Sequence, residues 1–269
     1  MKMRVFALLA GVLAVCAGLM VSCKKEEAAK NPAEAGFVFK VGLDATFKPY
    51  GFKDANGEIV GFDIDLAKEV AKRRGWKLEL KSIDWDAKDA ELSSGMINCI
   101  WNGFTINGRE KQYTWTEAYV DCSQVVMVRK DAGIAKLADL AGKVVVVQKD
   151  SSGAAALNEK ENEALKKTLK AVRAVPEFNT AMMELETGTC DAVVIDQGVA
   201  EMHLKEKAGK FAILAEALKS EQYGVGFKLG DTALRDAVQS TFKEMVKDGT
   251  AAKISAKWFD GKNVCVMKP

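Results

Sequence analysis

The feature that most restricts this chain is a strand–helix–strand pattern that starts twice, once near Phe37 and again near Lys143. Phe37-Val38-Phe39-Lys40-Val41-Gly42 reads as a strand, and Asp54-Ala55-Asn56-Gly57 carries the Asn-Gly signal of a tight turn. Ile64, Leu66, Ala67, Val70 and Ala71 then form an apolar stripe at helical spacing. Asp63 is placed to cap that helix, while Lys72, Arg73 and Arg74 suit the negative end of its dipole and Gly75 suits the position just past its end. Trp76 to Ser82 is again strand-like, so the unit predicts a parallel pair joined by a right-handed crossover.

The second start follows a helix end at Leu140-Ala141-Gly142, where Lys143-Val144-Val145-Val146-Val147 reads as a buried strand. Two further segments echo each other. Glu91 to Trp101 and Glu184 to Val194 each run from a helix end through a glycine stop into an apolar strand. Two α/β lobes of similar plan are expected. Such echoes are common in α/β chains, so they bear on fold and say little about function. Gln124 to Arg129 and Tyr223 to Lys228 are extended stretches flanking the second unit. If both cross between lobes, the second lobe is inserted into the first and two parallel crossing strands form a hinge. Leu234 to Phe259 reads as helices returning to the first lobe, broken at Asp248-Gly249-Thr250.

Ahead of the first strand, Met1 to Arg4 is basic and Val5 to Val21 is apolar or small, the pattern of a secretory signal in residues 1–22. It stops at Ser22-Cys23, a small residue before a cysteine, which resembles the bacterial lipobox. That resemblance implies acylation of Cys23 and a membrane-anchored, extracytoplasmic chain on a polar tether over residues 23–36. Roughly 230 residues remain, enough for two modest lobes. A net charge of +2 gives no nucleic-acid footprint. Cys99, Cys122, Cys190 and Cys265 match no zinc spacing, and His203 is the sole histidine. Cys99 and Cys190 read as buried free thiols, whereas pairing of Cys122 with Cys265 is left open. No cofactor motif and no metal set is expected.

From Val38 to Phe259 the chain resembles the extracellular solute-binding proteins that serve polar amino-acid ABC importers. The resemblance rests on ordered segments: Asp44 to Gly51 with Gly61 to Ala67; Asn102-Gly103-Phe104-Thr105-Ile106 followed by Arg109; Asp139 to Gln148; Cys190 to Asp196; Tyr223 to Phe227; and Asp248 to Phe259. One departure is a turn at Asn107-Gly108 that is a residue shorter than usual in the family. It implies an α/β, two-lobe periplasmic-binding-protein fold (type II) with a two-strand hinge. Lobe 1 would comprise 37–127 and 223–269, lobe 2 would comprise 128–222, and the monomer would hand a free amino acid to a membrane permease.

A buried zwitterion needs a cation for its carboxylate and an anion for its ammonium, because unpaired buried charges are costly. Arg109 has the fork that matches a carboxylate, although by chemistry alone it reads as a surface arginine. Asp196 ends an apolar strand, where spacing alone favours a helix cap. The resemblance assigns Arg109 to the carboxylate and Asp196 to the ammonium. It also implies contacts along Gly103, Phe104 and Thr105, with Ser151 and Ser152 answering from lobe 2 near a helix start. Phe47 and Trp85 would sandwich the ligand side chain, their alternative being ordinary core packing. Asp44 and Gln148 would meet its far end. Asp44 disfavours an acidic ligand, so a glutamine-like side chain is expected first and a cationic one second. The competing reading is a dehydratase on the same fold, using Asp44 or Glu117 as acid or base.

Overall fold

The computed structural model describes residues 32, 34 and 36–269. The expected signal segment and Cys23 lie outside the described residues. Eight strands build the main sheet: β1 (Val38–Leu43), β2 (Lys77–Ser82), β3 (Cys99–Thr105), β4 (Val120–Arg129), β5 (Val144–Gln148), β6 (Ala171–Val175), β7 (Ala192–Asp196) and β8 (Lys219–Phe227). They run in the order β6-β5-β7-β4-β8-β3-β1-β2, with two short strands paired to β4 and β8. Among the described residues eight helices pack around them: α1 (Phe62–Arg74), α2 (Lys88–Ser94), α3 (Ser152–Ala156), α4 (Glu163–Thr168), α5 (Phe178–Thr187), α6 (Gln197–Glu206), α7 (Thr232–Lys247) and α8 (Thr250–Trp258).

Each lobe repeats one plan. β2-β1-β3 and β6-β5-β7 are parallel triplets with the first strand in the middle. The echoed glycines sit at matching points of that plan. Gly95 (φ 77°, ψ 13°) ends α2 before β3, and Gly188 (φ 78°, ψ 13°) ends α5 before β7. Both take the left-handed conformation that glycine adopts without a Cβ penalty.

β4 and β8 join the lobes. The first half of β4 pairs with β8 and its second half with β7, while the end of β8 pairs with β3. The expectation of parallel crossing strands fails, since β4 and β8 are antiparallel from Val120↔Tyr223 to Gln124↔Lys219. The reason is connectivity: the chain leaves lobe 1 along β4 and must return along β8.

α1 also corrects the sequence reading. Its N-cap is Gly61, at φ 144°, where a Cβ would lie 2.1 Å from the Tyr50 carbonyl oxygen. Asp63 caps nothing; it is fully buried and its Oδ2 accepts from the Gly103 N–H at 2.6 Å. At the other end Gly75 closes the helix at φ 67°, after the three basic residues. α7 and α8 return to lobe 1 and pack on α1, with Gly249 (φ 80°) between them. Arg73 ties α1 to Asp248 at 2.7 Å, and Arg74 donates to the Ala237 carbonyl at 2.8 Å.

Phe39, Val41, Leu66, Val70, Trp101 and Phe242 lie in the core of lobe 1, and Val145, Val147, Ala192 and Val194 in a cluster of lobe 2. Each large apolar side chain so buried contributes about 1.5–3 kcal/mol. All four cysteines of the described residues are free thiols, so Cys122 and Cys265 are not bonded. Among the described residues no helix is long and apolar enough to cross a membrane.

Candidate ligand-binding cleft

The carboxyl ends of β1, β3, β5 and β7 converge on one cavity of about 290 Å³ between the lobes. That is where open α/β sheets leave room for ligands. Lobe 1 lines it with Asp44, Phe47, Trp85, Gly103, Thr105 and Arg109. Lobe 2 lines it with Gln148, Ser151, Ser152 and Asp196.

Phe104 stands apart from the expected set. It is absent from the lining, and its ring packs against Trp85 at 5.5 Å and Trp115 at 4.8 Å. The cause is an irregularity in β3. Four steps from Ile100 to Phe104 face only two steps from Gly226 to Gly224 on β8. Gly103 turns to φ 56° there, so strict strand alternation is lost and Asn102 joins Thr105 at the cavity. Phe104 supports the site from behind, holding Trp85 edge-on and carrying the Arg109 guanidinium 5.2 Å above its face.

Asn102 and Phe178 were not singled out from the sequence, yet both line the cavity. Asn102 Oδ1 accepts from the Asp44 N–H at 2.9 Å, and its Nδ2 is buried with no partner. It lies inside the Asn102-Gly103-Phe104-Thr105 segment that carries the family resemblance, and that segment is its signal in the sequence. Phe178, the first residue of α5, packs its ring at a tilt against Phe47 of the opposite lobe, centroids 5.6 Å apart. Nothing local in its sequence marks that long-range contact.

The charged groups have distinct settings. Arg109 donates to the Thr105 carbonyl at 3.3 Å and to the Asp150 carbonyl of lobe 2 at 3.1 Å. Asp196 occupies the N-cap position of α6 without a capping bond from its side chain. It is 3 % exposed, accepts from Tyr223 Oη at 2.6 Å, and burial followed by the nearby Glu221 carboxylate pushes its pKa up to about 7. Ser151 caps α3, its Oγ accepting from the Ala154 N–H at 3.0 Å. At the far end Asp44 Oδ1 accepts from the Thr46 N–H and hydroxyl at 2.8 and 2.7 Å. Gln148 Nε2 donates to Asp44 Oδ2 at 2.7 Å and to the Pro176 carbonyl at 3.0 Å. Among the described residues no cluster of three or more metal-ligating side chains occurs.

The sequence profile of the bacterial extracellular solute-binding proteins, family 3, matches residues 39–261. The chain belongs to that family. It is 31% identical to the L-cystine-binding protein TcyJ of Escherichia coli (strain K12) over 258 residues, 93% of this chain and 94% of that protein. It is likewise 31% identical to the lysine/arginine/ornithine-binding periplasmic protein of the same strain, covering 87% of this chain and 92% of that one. Among solved structures, a substrate-binding protein of an ABC uptake transporter from Streptococcus pneumoniae, with bound histidine, superposes with a TM-score of 0.81. That pair shares 32% identity and covers 86% of this chain and 95% of the other. The two-lobe, type II periplasmic-binding fold is thus common to this chain and its family.

Proposed function

We propose that this protein captures one free L-amino acid with a polar, non-acidic side chain in the interlobe cleft. The observation that carries the reading is the placement of opposite charges on opposite lobes of one cavity, Arg109 from lobe 1 and Asp196 from lobe 2. A zwitterion supplies a partner to each, so it draws the lobes together by its differential affinity for the closed form. Gly103, Thr105, Ser151 and Ser152 surround the α-groups, and the side chain lies along Phe47, Trp85 and Phe178. The names of the relatives, cystine-binding and lysine/arginine/ornithine-binding, and a neighbour holding histidine support an amino-acid ligand.

The far end bears on which amino acid it is. Both amide protons of Gln148 are taken by Asp44 and Pro176, so Gln148 presents its carbonyl beside a carboxylate. Oxygen acceptors favour a side chain that donates, such as guanidinium or ammonium. Asn102 Nδ2 is a remaining donor there, and it keeps a glutamine-like amide as the second candidate. The dehydratase reading loses one of its two acids, because Glu117 is held by Lys243 at 2.7 Å and Gln239 at 2.8 Å and does not line the cavity.

The wider reading is a monomeric receptor anchored through Cys23 outside the cytoplasm, delivering its ligand to an ABC permease. Its lobes would be 37–127 with 223–269, and 128–222. Isothermal titration of the delipidated, ligand-stripped protein should give binding to arginine or another polar amino acid and none to glutamate or aspartate. Binding of acidic amino acids alone, or turnover of a carboxylic acid without binding, would overturn the proposal. Cys23→Ala should move the chain from the membrane fraction to the soluble one; unchanged fractionation would remove the anchor.

A further inference from the structure

Behind the cavity, where β4 and β8 cross, a chain of hydrogen bonds joins the two lobes. Glu221 on β8 is 3 % exposed, and its Oε2 accepts from Thr105 Oγ1 at 2.9 Å and from Gln124 Nε2 at 3.1 Å. Gln124 on β4 is fully buried and donates its other amide proton to Ser152 Oγ at 2.9 Å. Thr105 comes from lobe 1 and Ser152 from lobe 2, and both line the cavity.

The chain has a single polarity. A hydroxyl carries one proton and two lone pairs, a carboxylate only accepts, and an amide NH₂ only donates. The Thr105 proton is directed to Glu221, so Thr105 faces the cavity with lone pairs. Ser152 already accepts from Gln124, so its own proton is free to be donated into the cavity. Gln124 keeps this orientation although its Oε1 is buried without a partner. Turning the amide over would set that oxygen against the Glu221 carboxylate.

We infer that Glu221 and Gln124 are positioning residues that fix Thr105 as an acceptor for the ligand's ammonium and Ser152 as a donor to its carboxylate. The inference rests on the amino-acid reading of the cleft and deepens it. The cleft then recognises the direction of the zwitterion, as well as its charges, through two hydroxyls set from behind. The location of Asp196 agrees: it lies close enough to Glu221 for that carboxylate to raise the proton affinity of Asp196, which marks one end of the cavity as negative. Arg109, which donates to the Thr105 carbonyl, supplies the cation.

Double-mutant cycles test this, with L-arginine as the titrant and thermal unfolding measured alongside. Glu221→Met should weaken binding about tenfold or more, and that effect should vanish when Thr105→Val is already present. Glu221→Gln, whose carbonyl can still accept from Thr105, should restore most of the affinity. Gln124→Met should weaken binding similarly, and its effect should vanish in a Ser152→Ala background. Additive losses in both cycles, or Glu221→Gln falling as far as Glu221→Met, would overturn the inference while leaving the binding reading intact. A wild-type protein that binds none of arginine, histidine, glutamine and cystine would remove both. Should Glu221→Met fail to fold, the Gln124 cycle decides by itself.

Discussion

Asp196 and Asp63 are carboxylates inside the protein with different tasks. Asp63 faces inward and holds the Gly103 N–H, whereas Asp196 faces the cavity. Burial raises both to about 7. For a carboxyl whose folded pKa lies above its unfolded value near 4, the stability it contributes is fully present below about 4. That contribution is lost as pH rises through about 7. The ligand-free protein should therefore lose stability through these two groups as pH rises across that window. Binding of an ammonium has the opposite sign, because it needs ionised Asp196 and releases a proton. Affinity should fall about tenfold per unit of pH below about 7. Titrations from pH 5 to 8 in buffers of different ionisation enthalpy would read both the slope and the released proton. An affinity that does not change over that range, or a slope that survives Asp196→Asn, would sink the assignment.

Among the elements, β3 decides most about the cleft. Gly103 takes φ 56°, and a Cβ there would lie 2.8 Å from Phe47 Cε1 and 3.1 Å from Tyr223 Cε2. Gly103→Ala should cost about 1–2 kcal/mol of backbone strain and push Phe47 into the ligand space. Titration and thermal unfolding together would check this, and unaltered binding would show that the irregular strand does not shape the site. The repeated helix-stop-strand segments were legible in the sequence because glycine stops and apolar runs are local signals. The residues carried by the family motif, such as Asp44, Thr105, Arg109 and Gln148, were legible through their order along the chain. What was hidden depends on distant partners. Asp63 looked like a cap because its true partner, Gly103, is 40 residues away. Phe104 looked like a contact because the extra residues in β3 show only against Gly224 and Gly226 of β8. Phe178 went unseen because it reaches the cavity only through the meeting of lobes.

For the whole molecule, the Phe47–Phe178 contact between the lobes is accompanied by polar ones. Lys149 pairs with Asp86 at 2.6 Å, Gln148 bonds Asp44 at 2.7 Å, Lys48 pairs with Glu206, and Arg109 reaches the Asp150 carbonyl at 3.1 Å. The two exposed ion pairs, Lys149–Asp86 and Lys48–Glu206, contribute about 0–1 kcal/mol each. The chain's described ends both sit on lobe 1. Trp76 Nε1 donates to the Pro32 carbonyl at 3.1 Å, and the Val266 N–H donates to the Tyr119 carbonyl at 2.9 Å. Lobe 2 is reached only through the adjacent strands β4 and β8. Mechanically, a pull on the two ends loads lobe 1 and leaves lobe 2 off the force path, like a loop hung from a clamped cord. In an optical trap the first rupture should release chain length from lobe 1, and a first step matching lobe 2 would contradict that load path. A chain built this way can be pulled at its ends without strain reaching the lobe hung between the two strands.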